Sequence, residues 1–434
     1  MSGKYRDSIK IGLMGLGTVG CGVADILYKK AEAIARQVGC SLQIKRLLVR
    51  DPNKTRPIQL DPNLLTTEAN DIIDDPEIEI IIEVLGGEFP AVDYIRRSIA
   101  QGKHVVTANK EVIAKHGPEL LQLAQQAKVD ILYEASVGGG IPLIAPFKRS
   151  LLANEISSIH AIINGTTNYI LTRMAREGTD FRVALKQAQE LGYAEPDPTN
   201  DIEGIDAAYK LAILATLAFH VPVRPHDVYS EGVSRLAPRD FRYAKELGYE
   251  IKLLAIAKNK DSTIQVRVHP AFVPEDLILA KVDGVFNAIL VDGDLVGKVL
   301  FYGRGAGSMP TSSAIISDTI DLAQDIYLGV SDRPRLWLDT VKTIQNMSEI
   351  TTRYYMRMNV ADRPGVLAQI AKTLGDNKIS IASVIQKETD EKAGTAEIVI
   401  MTHPALESSV REALKEVERL DVVQEIGNFV RVED

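Results

Sequence analysis

Along the chain, short apolar runs alternate with longer stretches in which apolar positions recur every third or fourth residue, the periods of strand and helix. Ile9–Met14 is an apolar run ending in glycines, and Cys21–Val38 follows with a helical period. Leu42–Val49 reads as a strand and Ile78–Leu85 (IEIIIEVL) as a strongly buried one. Tyr94–Gln101 is helical, His104–Ala108 a strand, Glu111–Ala127 a helix and Val129–Tyr133 a strand. Strand–helix alternation of this kind predicts a mostly parallel sheet with helices on both faces, here over residues 1–135.

From residue 136 the pattern changes. Ile156–Ile163 is a strand candidate, Phe181–Leu191 and Ile202–Phe219 are helical, and Thr263–His269, Leu290–Val291 and Val296–Tyr302 are β-rich. Strands following helices predict an α+β domain over 136–307. After the glycine-rich turn Gly303–Gly307 a helical pattern returns at Thr311–Gln324; as a helix over 308–328 it would pack back on the first domain and complete it. Residues 329–350, with Pro334 and the single tryptophan Trp337, read as a connecting arm. Residues 351–434 read as a separate unit: strand Tyr354–Val360, helix Gly365–Asn377, strands Ile379–Lys387 and Thr395–His403, helix Leu406–Arg419 and strand Val422–Val432. That βαββαβ order is the ferredoxin-like arrangement.

Composition narrows the class. The 434 residues suit two to four domains, and 45% apolar with 25% charged residues is ordinary for a globular protein. Fifty Lys and Arg against 58 Asp and Glu leave a net charge of −8, which argues against a nucleic-acid or anionic-membrane partner. The two cysteines, Cys21 and Cys40, form no zinc-ligand spacing and fit a reducing compartment. MSGKYRDSIK lacks the apolar core of a signal peptide, and Leu211–Phe219 is too short to span a bilayer. A soluble, cytoplasmic protein is expected.

Gly15-Leu16-Gly17-Thr18-Val19-Gly20 stands directly between a strand and a helix. In that context G-x-G-x-x-G binds a dinucleotide: Gly15 allows the tight turn, Gly17 lets backbone approach the pyrophosphate, and Gly20 allows close helix–strand packing. Thr18 and Val19, within the fingerprint, are candidate cofactor-binding residues, and the N-terminus of the helix that follows offers free N–H groups to the phosphates. At the end of the second strand stands Arg50, followed by Asp51, with Lys54 and Arg56 nearby. A guanidinium there suits the 2′-phosphate of NADP, while Asp51 could serve NAD.

Further motifs lie downstream: Gly86-Gly87, Gly102-Lys103-His104-Val105-Val106-Thr107-Ala108-Asn109-Lys110, Tyr133-Glu134-Ala135-Ser136-Val137-Gly138-Gly139-Gly140-Ile141-Pro142, Asn164-Gly165-Thr166-Thr167-Asn168-Tyr169 and Leu191-Gly192-Tyr193-Ala194-Glu195-Pro196-Asp197-Pro198, then Asp206 and Lys210. Over residues 8–330 this set resembles homoserine dehydrogenase. Asp362-Arg363-Pro364-Gly365-Val366-Leu367-Ala368 resembles an ACT domain, an amino-acid-sensing module. The resemblance implies NAD(P)H-dependent, reversible reduction of L-aspartate 4-semialdehyde to L-homoserine, in threonine, methionine and isoleucine biosynthesis.

By that resemblance Lys210 is the proton donor, Lys110 touches cofactor and substrate and could share the proton work, and Glu195 with Asp206 holds the substrate ammonium. Asp206 lies four residues before Lys210, on one helix face, and favours its charged form. Thr107, Lys110, Gly192, Glu195 and Gly307 (or Gly305) are implied to lie by the dinucleotide. A monovalent cation, typically sodium, is implied at the Glu134 side chain or backbone and the carbonyls of Val137, Gly139 and Ile141. The ACT resemblance implies an amino-acid effector, threonine first, and the likeness as a whole a homodimer or homotetramer. A chain ending near Ile350 is expected to stay active and lose any threonine response. The alternatives are a non-catalytic amino-acid sensor, which would be expected to have lost Lys210 or Asp206, and another ACT-containing dehydrogenase.

Overall fold

A computed structural model describes residues 6–330, 338, 342–390 and 393–433. Pro334 and Trp337, and with them much of the expected arm, lie outside the described residues. The chain forms two compact units, one of Met1–Ile156, Tyr209–Asp227 and Asp292–Thr340, the other of Ser157–Ala208, Val228–Val291 and Val341–Asp434.

In the first unit β1 (Ser8–Met14), β2 (Ser41–Leu48), β3 (Leu65–Thr66), β4 (Ile78–Glu83), β5 (His104–Thr107) and β6 (Ile131–Leu132) form one parallel sheet in the order β3-β2-β1-β4-β5-β6. Ile9, Ile11, Leu13, Ile80, Ile81 and Ile82 have no solvent access, because helices cover both faces of the two central strands. The helical pattern of Cys21–Val38 is two helices, Thr18–Lys29 and Ala31–Val38, broken at Lys30. β6 is shorter than its apolar run: Lys128 turns left-handed, and the Val129 N–H closes the preceding helix on the Ala124 carbonyl. The helix Ser308–Leu328 lies on Thr18–Lys29. Its Ser308 and Ser312 hydroxyls donate to the carbonyls of Thr18 and Val19, and a Cβ on Gly22 would come 2.5 Å from Ser312 Oγ. Gly22 is therefore what lets the two helices approach.

The second unit is built on an extended sheet. β7 (Ile156–Ile162), β8 (Tyr229–Ser230), β9 (Tyr249–Lys260), β10 (Thr263–Pro274) and β11 (Phe286–Gly293) come first. β12 (Gly297–Arg304) belongs by residue to the first unit. β13 (Thr343–Ile344), β14 (Thr351–Ala361), β15 (Ile381–Asp390), β16 (Thr395–Thr402), β17 (Ala405–Leu406) and β18 (Val423–Val432) complete the set. The order runs β11-β7-β9-β10-β18-β14-β16-β15. The C-terminal β18-β14-β16-β15 stretch, with helices Val366–Asp376 and Glu407–Glu418, is the expected ferredoxin-like module. It does not stand apart from the middle of the chain. β18 pairs in parallel with β10, Ala271 opposite Arg431 and Phe272 opposite Val432, and the Glu433 N–H continues onto the Phe272 carbonyl.

Two helices here go beyond the sequence reading, Gly165–Glu177 and Pro238–Glu246. The first opens with Gly-Thr-Thr-Asn, all poor helix formers, and is started by its cap: the Asn164 side chain accepts from the Thr167 N–H at 2.8 Å. The pattern Ile202–Phe219 is also broken, into Thr199–Ile202 and Ile205–Phe219, at Gly204 with φ +77°.

Candidate active site

The strand order of the first sheet reverses direction between β1 and β4, and their carboxyl ends open the crevice where ligands bind in such sheets. The three fingerprint glycines divide their duties there. A Cβ on Gly15 (φ +104°) would stand 2.7 Å from the Val84 carbonyl, and one on Gly20 would stand 2.1 Å from the Gly15 carbonyl. A Cβ on Gly17 would meet nothing within 4 Å. Gly15 and Gly20 serve the fold, and Gly17 leaves room beside the turn. Gly17 is also the N-cap of the helix Thr18–Lys29, with no side-chain cap and no acid in the first turn. Its first N–H groups are therefore left for an anion. These residues fit a bound pyrophosphate.

Arg50 and Asp51 are exposed just past β2. Asp51 accepts from the Asn53 N–H, while Arg56 donates to the carbonyls of Asp51 and Lys54. Arg56 and Lys54 are close enough to draw the Cys21 thiol down, although burial outweighs them and pushes it up. Cys21 is thus a buried thiol whose Sγ faces the Leu16 carbonyl, beside a basic loop.

At the ends of β4 and β5 the sequence reading missed a residue. Glu83 is fully buried; its carboxylate accepts from Thr107 Oγ1 at 2.6 Å and from the Leu85 N–H at 2.8 Å. Burial pushes its carboxyl up against these bonds. Thr107 Oγ1 accepts in turn from the Asn109 N–H, and Asn109 reaches back to the Gly87 carbonyl at 2.7 Å. The Asn109 side chain also caps the helix Lys110–Ala127. Glu83 therefore joins the 84–87 turn to the turn that presents Lys110. One turn into that helix, Lys115 bonds Glu88 and Glu111, and its ammonium lies 5.7 Å from the centre of the Tyr209 ring, the neighbour of Lys210. Lys110 and Lys210, both half-buried, belong to this unit.

The two acids lie in the second unit. Asp206 is 3% exposed and accepts from Asn164 Nδ2 at 2.9 Å; the same amide donates to Asp201 at 2.7 Å. Asn164, another residue given no role from sequence, thus fixes Asp206 while its oxygen caps the helix Gly165–Glu177. That helix also holds the Gly192–Glu195 loop, because Thr166 Oγ1 donates to the Tyr193 carbonyl at 2.7 Å and the Tyr169 and Tyr193 rings are 5.1 Å apart. Gly192 takes φ +73°, and Glu195 is exposed at the end of the loop. Asp206 and Glu195 are in this way tied to one helix.

The loop expected to hold a cation follows β6. Both oxygens of the Glu134 carboxylate are committed, accepting the N–H groups of Leu143, Ile144 and Ala145, while its own N–H donates to Asp318. The side chain is a cap for the turn at 143–145, which leaves only the Glu134 carbonyl, itself accepting from the Val137 N–H at 3.4 Å, as its route to a cation. Among the described residues no backbone N–H bonds the carbonyls of Val137, Gly139 or Ile141. Gly138 and Gly139 have positive φ, and a Cβ on Gly139 would stand 2.6 Å from the Gly305 carbonyl. The loop is thereby pressed onto the segment that ends at Gly307, the N-cap of Ser308–Leu328. Among the described residues no cluster of His, Cys, Asp and Glu could hold a metal, and no helix is long and apolar enough to cross a membrane.

Comparison with known proteins agrees along the whole chain. The family model for homoserine dehydrogenase matches residues 142–320, that for the homoserine dehydrogenase NAD binding domain residues 15–134, and that for the ACT domain residues 354–421. A homoserine dehydrogenase of Synechocystis sp. is 45% identical over 98% of this chain and 99% of its own. The crystal structure of a homoserine dehydrogenase from Thiobacillus denitrificans superposes with a TM-score of 0.92, at 44% identity over 99% of both chains. A hyperthermophilic archaeal homoserine dehydrogenase in complex with NADPH matches with a TM-score of 0.63, at 26% identity over 76% of this chain and 99% of that one.

Proposed function

The chain belongs to the homoserine dehydrogenase family, and from that premise we propose how its residues divide the oxidation of L-homoserine and the reverse reduction of L-aspartate 4-semialdehyde. The observation that carries the reading is the glycine turn, with two glycines packed against backbone and the middle one open beside an uncapped helix N-terminus. When bound there, a nicotinamide dinucleotide supplies the hydride acceptor or donor. Thr18, Val19 and the turn glycines would hold its phosphates. Arg50, exposed past β2, would bind the 2′-phosphate and so favour NADP over NAD; the archaeal relative is in complex with NADPH.

Glu195 and Asp206 hold the substrate ammonium, and the Asn164 bond keeps Asp206 turned to it. Lys210 gives the proton to the carbonyl oxygen in reduction and takes it back in oxidation; Lys110, capped into place by Asn109, steadies the charge that develops on that oxygen. Thr107, Gly192 and Gly307 would help to hold the dinucleotide. A sodium ion bound by the carbonyls of Glu134, Val137, Gly139 and Ile141 would brace the 137–141 loop, as a hard cation on oxygen ligands. The C-terminal ACT domain binds an amino acid, threonine first, and the enzyme works in the cytoplasm as a homodimer or homotetramer.

Homoserine oxidation, followed by dinucleotide absorbance with NADP and with NAD, tests this reading. Lys210→Ala is expected to lower kcat by about 10²–10⁴ with dinucleotide KM nearly unchanged. Wild-type turnover in that variant would remove Lys210 from the proton step.

A further inference from the structure

Arg431, in the last strand of the C-terminal domain, has no solvent access yet contacts three polar side chains from two other parts of the chain. Its Nε and Nη2 grip the Glu407 carboxylate, within the same domain. Its Nη1 donates to Glu231 at 2.9 Å, and Nη2 reaches the Tyr229 hydroxyl at 3.4 Å. Tyr229 donates to Glu231 at 2.7 Å and accepts from Arg411 at 2.8 Å. Arg411 closes the ring on Glu407 at 2.7 Å. Two arginines of the C-terminal domain thus hold β8 and the Glu231 that follows it.

That segment is in direct contact with the residues just ahead of the helix carrying Asp206. Ser230 Oγ donates to the Glu203 carbonyl at 2.8 Å, and the Val233 N–H donates to the Ile202 carbonyl at 2.9 Å. Two glycines make the approach possible. A Cβ on Gly232 would stand 2.5 Å from the Ile202 carbonyl, and one on Gly204 would stand 2.9 Å from Ser230 Oγ. Gly204 is the residue before the helix Ile205–Phe219, and Asp206 lies in that helix's first turn. From Arg431 to Asp206 the path is continuous: guanidinium to Glu231 and Tyr229, backbone to Ser230, hydroxyl to Glu203, backbone to Asp206.

We propose that Glu231, Tyr229 and Arg431 are positioning residues for Asp206, so that the C-terminal domain sets where the substrate-binding acid stands. The proposal rests on the reading of Asp206 as a ligand of the substrate ammonium. Only the substrate end of the reaction should respond, because the ring touches the segment ahead of Asp206 and the glycine turn for the dinucleotide belongs to the other unit.

Glu231→Gln and Tyr229→Phe in the full-length enzyme test it, since both residues keep solvent contact and their replacements keep the shape. In Glu231→Gln the KM for homoserine is expected to rise about three- to tenfold, with dinucleotide KM within about twofold of wild type and the melting temperature nearly unmoved. Tyr229→Phe should move the same constant in the same direction, and Glu231→Asp should recover part of the loss. Asp206→Asn in the same assay separates the two ideas. If it leaves homoserine KM and kcat at wild type, the reading of Asp206 fails and the proposal with it. If it disables the enzyme while both outer variants keep the wild-type homoserine KM, the positioning role alone fails. A parallel rise in substrate and dinucleotide KM, or loss of activity in step with melting temperature, would also overturn the proposal.

Discussion

A carboxyl group with no access to water is destabilising unless donors meet its oxygens. Glu83 is met by the Thr107 hydroxyl and the Leu85 N–H, across the gap between β4 and β5. Glu83→Ala removes the acceptor for both and is expected to lower unfolding free energy by about 2–4 kcal/mol. It should also raise dinucleotide KM, because the 84–87 and 107–110 turns lose their common anchor. Urea unfolding and steady-state kinetics check the two halves, and Glu83→Gln, which keeps an acceptor, should lose less of each. Sequence gave no hint of this residue, since a lone acid in IEIIIEVL looks like a polar interruption and its partner is 24 positions on. Asn164 was hidden for the same reason, being 42 positions from Asp206. The glycine turn was legible because its geometry is complete within six consecutive residues.

At the level of elements, the seam between β10 and β18 is held by ions as well as by backbone. Burial works against the charge on Glu433, but Arg267 and Lys258 override it and hold its carboxyl well below the usual range. Glu407 is likewise buried and likewise lowered, by Arg431 and Arg411. A carboxyl whose folded pKa is depressed contributes stability that is present above the unfolded value, about 4.3 for Glu, and lost as pH falls toward the folded one. The seam should weaken below about pH 4.5, and Glu433→Gln should flatten that loss while lowering stability at pH 7. Urea midpoints between pH 3 and 7 measure both. The strands of the C-terminal module were readable from their own apolar periods. That β18 would also pair outside its module was not, because nothing in an eight- or ten-residue pattern names a partner 160 residues away. Helix ends failed where a single backbone conformation decided them, at Lys30 and at Gly204.

For the molecule as a whole, grouping residues 341–434 with 157–208 and 228–291 changes what a deletion should do. The expectation from sequence was an active, unregulated enzyme ending near Ile350. Such a chain would bare the β10 edge at Ala271–Phe272 and leave the buried Arg267 without Glu433. It is now expected to melt lower and to aggregate on heating, and calorimetry with light scattering decides between the two outcomes. The family model for the ACT domain stops at residue 421, two positions before β18 begins. Anyone exchanging regulatory modules between relatives at that boundary would therefore cut inside a shared sheet. The transferable cassette includes β10 and the 229–233 segment that begins with β8, so feedback responses should travel between such enzymes only when those pieces move together.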